Sequence, residues 1–164
     1  MPSEKEQFLQ TWEQEHATTA KLIGAIPEGR LDFKPHARSW STRELAWHLV
    51  DAERFLVEAC LAGKIELQPG PPAPATLGEI RTIFGRQHKE LVEKIRAAED
   101  RQLGRSIQIH VAPKQMGDVP IMGVLWMGVV LHAAHHRGQL SVHLRMMDAK
   151  VPSIYGPSAD EPWW

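Results

Sequence analysis

The sequence predicts an all-α protein, a four-helix bundle joined by long crossover loops. Three observations carry this expectation. Apolar residues recur at helical spacing in four separate stretches. Two of those stretches open on a capping box. The loops between them are rich in proline and glycine.

The first helix is expected over residues 3–25. Phe8, Trp12, Thr19, Leu22, Ile23 and Ile26 repeat at helical spacing, and Pro27 and Gly29 stop it. A loop follows over 28–40. Ser41 opens the second helix as an N-cap, with Glu44 three residues on to reach back. Leu45, Leu49, Ala52, Leu56 and Ala59 form its apolar stripe, and Gly63 ends it. Residues 68–75 hold four prolines and a glycine, an extended crossover with too little chain on either side for separate cores. Thr76 and Glu79 cap the third helix, which runs to about residue 99 with Ile80, Ile83, Phe84, Leu91 and Ile95 inward. Residues 103–120 read mostly as loop, although the alternation over 106–111 hints at a short strand. The fourth helix is expected over 121–148, and the tail from 151 onward is not helical.

Length and composition fit one domain spanning 1–164, with 43% hydrophobic and 24% charged residues among 164. The longest apolar stretch, 121–134, is interrupted by Gly123, Gly128 and His132, too short for a membrane span. The N-terminus begins polar and acidic, so no secretory leader is expected. Net charge is -1 and the nineteen basic residues form no run, which argues against nucleic acid as a partner. One cysteine, Cys60, excludes an intrachain disulfide and suits the cytoplasm. It reads as a small core residue rather than a nucleophile.

The histidines carry the functional signal. His132 and His136 stand four apart on the fourth helix, roughly 40° apart around its axis. Such a pair can bring two imidazole nitrogens to one metal ion. Their stripe continues upstream through Ile121, Leu125 and Gly128, so it faces the interior, where unpartnered histidines are costly. His135 points elsewhere. A third ligand must come from another helix. His48 is the best placed, at the inward edge of the second helix beside Leu45, Ala52 and Phe55. Three histidine ligands leave a coordination position open, the pattern of a catalytic rather than a closed structural site.

Other residues have weaker readings. Gln139 and His143 continue the ligand stripe and, with His16, are candidates for a supporting or pocket-lining role. A satisfied interior histidine is the plainer reading of His16. His36, His88 and His110 read as loop or surface residues, and Asp51 and Glu53 as salt-bridge formers. A di-iron bundle would need two Glu-x-x-His units. Only Glu13 to His16 fits, so that alternative is set aside.

The segment Trp40-Ser41-Thr42-Arg43-Glu44-Leu45-Ala46-Trp47-His48-Leu49 resembles the second helix of DinB/YfiT-like proteins, in which the final histidine is a metal ligand. His132-x-x-x-His136-Arg137-Gly138-Gln139 resembles that family's ligand pair and its trailing Arg-Gly-Gln. The tail from Val151 through Tyr155-Gly156-Pro157 to Asp160-Glu161 is similar to the family's ending. The resemblance implies an up-down-down-up four-helix bundle with one mononuclear site made by His48, His132 and His136. It also implies a homodimer, which the nearly all-apolar start of the fourth helix supports independently.

The expected function is that of a metal-dependent enzyme of the thiol S-transferase type, acting on a small molecule with a low-molecular-weight thiol as cosubstrate. A divalent ion held by three neutral ligands keeps its full charge and can lower the pKa of a bound thiol or water. Zinc, nickel and iron all suit imidazole. A metal-dependent hydrolase and a non-catalytic metal- or small-ligand-binding module are the alternatives, along with an interaction protein whose histidines only pack. No glutamate follows His132 as a general base, which suits thiol chemistry better than hydrolysis.

Overall fold

Ser3, Ser41 and Thr76 each open a helix with a complete capping box: the hydroxyl accepts from the backbone three residues on, and the glutamate there accepts from the cap's own N–H. In the computed structural model, which describes residues 1–111 and 114–164 and all side chains outside 110–116, these helices are α1 (Glu4–Gly24), α2 (Thr42–Ala62) and α3 (Leu77–Ala97). Gly63 ends α2 at φ +80°, a left-handed conformation that costs glycine little. A short α4 (Asp100–Leu103) follows α3. The last long helix is continuous over 121–146. It comprises α5 (Ile121–Val124), a π-helical stretch (Leu125–Leu131) and α6 (His132–Met146).

Side-chain pairs fix the bundle's directions. Lys5 of α1 reaches the carbonyl of Ala98, just past the end of α3, so α1 and α3 run antiparallel. Gln87 bonds the carbonyl of Val50, and Lys94 bonds Glu58, so α2 and α3 run parallel. Thr42 meets His143 while His48 meets His132, so α2 and α6 are antiparallel. Phe8 packs on Trp126 and Thr19 bonds Arg137, so α1 is parallel to the last helix. The four long helices therefore form a four-helix bundle in the up-down-down-up order. Its parallel α2–α3 pair explains the long crossover over residues 67–76: the chain must return along the bundle before α3 begins.

The apolar stripes build two cores. One gathers Phe8, Trp12, Val57, Leu91, Ile95 and Leu125; the other gathers Leu22, Leu45, Leu49, Ile80, Phe84 and Leu140. Between them, each long helix contributes polar groups at the same level: His16 and Thr19 from α1, Glu53 from α2, Gln87 and His88 from α3, His136 and Arg137 from α6. This polar belt crosses the middle of the bundle, and both histidine clusters lie in it.

Several expectations are corrected. Residues 103–120 are not mostly loop. β2 (Ser106–Val111) and β3 (Lys114–Pro120) pair antiparallel with an irregularity between Gln108 and His110, and β1 (Lys64–Glu66) adds in parallel to β2. The alternation over 106–111 was the real signal. Gly117 sits within β3 at φ +89°, so a residue that reads as a breaker is accommodated in the strand. Pro113 and the side chain of His110 lie outside the described residues. β1 is too short for any period to show. The last helix ends at Met146, two residues early, and Asp148 turns the chain at φ 57°. Among the described residues, no helix is long and apolar enough to cross a membrane.

Candidate metal centre

His48, His132 and His136 converge, although they come from two helices 84 residues apart in the chain. The His48 Nε2 lies 3.3 Å from His132 Nε2, which lies 2.9 Å from His136 Nε2. The three rings meet edge to face, at interplanar angles of 79–88°. Nitrogens bound tetrahedrally at ~2.1 Å from one zinc ion lie ~3.4 Å apart. The triad already has nearly that spacing.

Hydrogen bonds on the far side of two rings decide which nitrogens carry protons. His136 Nδ1 lies 2.7 Å from Gln139 Oε1. An amide oxygen only accepts, so Nδ1 carries the hydrogen and Nε2 presents its lone pair to the centre. His132 is fixed by its own helix. In the π-helical stretch its backbone N–H bonds the carbonyl of Met127, five residues back, rather than that of Gly128. The Gly128 carbonyl is thereby released and accepts from the His132 ring. With that donor turned outward, the Nε2 of His132 also presents a lone pair. Two lone pairs 2.9 Å apart repel unless a cation stands between them. The donor set therefore fits a divalent metal ion.

Electrostatics point the same way. Burial, followed by the neighbouring His136 and His132, holds the His48 imidazole down at about 4. Burial also lowers His132 and His136 below the ordinary histidine value. All three are neutral and ligand-ready at neutral pH. Trp40 closes the site, its ring 4.6 Å from that of His48 and 5.7 Å from that of His136.

Of the supporting residues expected from sequence, Gln139 holds a ligand directly. His143 does not: its Nδ1 meets Thr42 Oγ1 at 3.1 Å, tying α6 to the start of α2. His16 belongs to a different cluster, with Glu53 and His88. Its Nδ1 is buried without a hydrogen-bond partner, so it is not the satisfied interior histidine that was expected. His88 is not a loop or surface residue; it is buried in α3, and Phe84, Leu91 and Val92 at helical spacing were the overlooked sign. Glu53 is buried too, accepting from Trp12 Nε1 at 3.0 Å and lying 3.3 Å from His88 Nδ1. The His16 and His88 rings stack in parallel, 3.6 Å apart and 13° from coplanar. Stacked rings hold their nitrogens side by side, whereas ligands converge edge-on, so the stacking suits packing better than coordination, although the three ligand atoms lie within 4.8 Å of one another. Asp51 does form its expected ion pair, with Arg54 at 2.6 Å. Cys60 is buried and its thiol is pushed up to about 12, which leaves no nucleophile.

Arg137 was missed. It is fully buried beside His136 and donates to Thr19 Oγ1, to the Glu15 backbone and carboxylate, and to the Tyr155 hydroxyl. It clamps α1, α6 and the tail together directly behind the ligand pair. A sign was present: no acid stands three or four residues from Arg137 on its own helix, so its charge had to be met from elsewhere.

The DinB family model matches residues 1–163. The chain belongs to the DinB family. The uncharacterized protein YrdA of Bacillus subtilis (strain 168) is 27% identical over 159 residues, 94% of this chain and 89% of its own. A DinB-like protein from Bacillus cereus ATCC 10987 superposes with a TM-score of 0.75 at 25% identity, covering 90% of this chain and 95% of its own. YfiT from B. subtilis, described as a probable metal-dependent hydrolase with an unusual four-helix bundle topology, gives 0.68 at 16% identity over 90% of each chain. A mycothiol-dependent maleylpyruvate isomerase gives 0.54 at 14% identity, covering 94% of this chain and 66% of its own.

Proposed function

We propose that this DinB-family protein binds one divalent metal ion through His48, His132 and His136, and that it is an enzyme joining a low-molecular-weight thiol to a small, largely apolar electrophile. The observation that carries the metal is the pair of ligand nitrogens whose protons are turned away by Gln139 and Gly128. The ion, when bound, supplies positive charge that favours ionisation of a thiol or water at the open position.

The chain's own residues do the rest. A cavity of about 1130 Å³ opens onto His48 and His132, walled by Trp47, Phe55, Leu56, Val124 and Met127. Such walls take an apolar body and exclude water from a reacting sulfur. The proline-rich crossover forms part of the wall and is pinned by Trp47 Nε1 donating to the Pro71 carbonyl at 2.9 Å. In the transfer, the thiol loses its proton to solvent. Sulfur then forms the new bond to carbon, and the leaving group departs with the electrons of the bond that breaks.

Hydrolysis is the second reading, favoured by the description of YfiT. It needs a base for water. The carboxylates lining the cavity beside His48 are engaged: Asp51 holds Arg54, and Glu44 caps α2 through the Ser41 N–H. Thiol transfer needs no such base, and the mycothiol dependence of the isomerase that shares this fold agrees with it. The test is thiol consumption with a fluorogenic electrophile such as monochlorobimane, on protein loaded in turn with zinc, nickel and iron. Turnover that needs both metal and His132 supports the proposal. Metal-dependent ester hydrolysis without thiol turnover would favour the second reading.

A further inference from the structure

The large apolar cavity reaches the triad from one side only. A second cavity, of about 420 Å³, reaches it from the other and is walled by Arg38, Ser39, Trp40, His136, Gln139 and His143. His48 and His132 face the first cavity; His136 faces the second. Trp40 lines both, its ring packed on the His48 and His136 rings, which themselves lie 4.5 Å apart. The indole is thus shared by two cavities that reach different ligands of one centre.

The two cavities differ in charge. The large one holds Glu44, Asp51, Arg54 and Glu66, and its arginine is paired to Asp51 and Glu58. Among the described residues, no carboxylate lines the small one. Its only full charge is Arg38, whose guanidinium has no ion-pair or hydrogen-bond partner among the described residues. The loop carrying it is held in place. The Arg38 backbone N–H donates to His36 Nδ1 at 3.1 Å, and the N–H groups of Thr42 and Arg43 donate to the carbonyls of Phe33 and Leu31. An unpaired guanidinium at the mouth of a pocket recognises a carboxylate in a fork of charge-assisted hydrogen bonds.

We infer that the small cavity is the cosubstrate subsite: Arg38 binds the carboxylate of an anionic thiol, Trp40 walls the subsite, and the sulfur reaches the centre past His136. This assignment rests on the thiol-transfer reading above. It also gives the two molecules separate cavities, so that they do not compete for one pocket.

The test uses the full-length protein and three probes: glutathione, a tripeptide thiol with two carboxylates; 2-mercaptoethanol, a neutral thiol; and S-methylglutathione, which keeps the carboxylates but has no S–H. Cobalt-loaded wild type and Arg38→Ala are titrated with the two thiols by the cobalt–thiolate absorption band. Metal-stripped protein is titrated with S-methylglutathione by calorimetry. Arg38→Ala should weaken glutathione and S-methylglutathione about tenfold and leave 2-mercaptoethanol unchanged, with Arg38→Lys recovering part of the loss. Equal effects on both thiols, no effect on either, or no binding of S-methylglutathione to wild type would overturn the subsite. If only the thiol-transfer reading fails, the cobalt band is missing with both thiols while S-methylglutathione still depends on Arg38.

Discussion

The Nδ1 of His136 lies 2.7 Å from Oε1 of Gln139, one turn further along the same helix. That contact fixes the ring's tautomer and its orientation at once. Outer partners of this kind are worth about 10- to 100-fold in metal affinity. Gln139→Leu should therefore lower zinc affinity by about that factor while thermal stability without metal changes little, since Gln139 is exposed. Competition against a chromogenic chelator measures it. Unchanged affinity would mean that the tautomer is set by something else.

Gly128 acts on the second ligand. A Cβ built there would lie 2.7 Å from Leu56 Cδ1, the tip of a flexible side chain lining the large cavity, so Gly128→Ala must turn Leu56 aside. The same residue supplies the carbonyl that orients His132. The substitution should weaken metal binding and lower the melting temperature together, by about 1–3 kcal/mol for the overpacking. A crystal structure of the variant with an unmoved π-helical stretch and intact metal affinity would refute this coupling.

Much of this was legible in advance. The capping boxes at Ser41 and Thr76 and the apolar stripes from Phe8 to Ile26 and from Ile80 to Ile95 give the helices because those signals are local. His132 and His136 are legible for the same reason, as neighbours on one helix face. The three-stranded sheet was not, since β1 is three residues long and pairs with β2 across a large sequence gap. The His16–Glu53–His88 layer and the Arg137 clamp depend on which helices become neighbours, and the up-down-down-up order decides that only in three dimensions. The π-helical stretch leaves no sign in the residue pattern, yet it is what orients His132.

The second histidine cluster is predicted to stabilise the fold rather than to bind metal. Glu53→Ala removes the acceptor of Trp12 Nε1 and the partner of His88, leaving two buried groups unpaired. The cost should be about 2–4 kcal/mol, read by urea unfolding, with bound metal per chain unchanged. Glu53→Gln, which keeps an acceptor, should lose less. Loss of a metal ion in Glu53→Ala would show that this layer is a site in its own right.

Acid should destabilise the metal-free protein in a defined window. His16 is held down at about 3, by burial and then by His88, and His48 at about 4. In the unfolded chain both titrate near the ordinary value of 6.5. Between those limits the unfolded state binds more protons, so stability is fully present above pH 6.5 and falls as pH drops toward 4. The urea midpoint at pH 5 should lie below that at pH 7.5. Replacing His16 and His48 together by Gln should reduce the difference without abolishing it, since burial also lowers His132, His136 and His143.

The central claim is that His48, His132 and His136 hold one divalent ion, and elemental analysis of untagged protein tests it most directly. Wild type should carry about one ion per chain after dialysis against equimolar zinc, and His48→Ala and His132→Ala should carry almost none while keeping their helical circular dichroism. No uptake by wild type, or equal uptake by all three proteins, would contradict the claim.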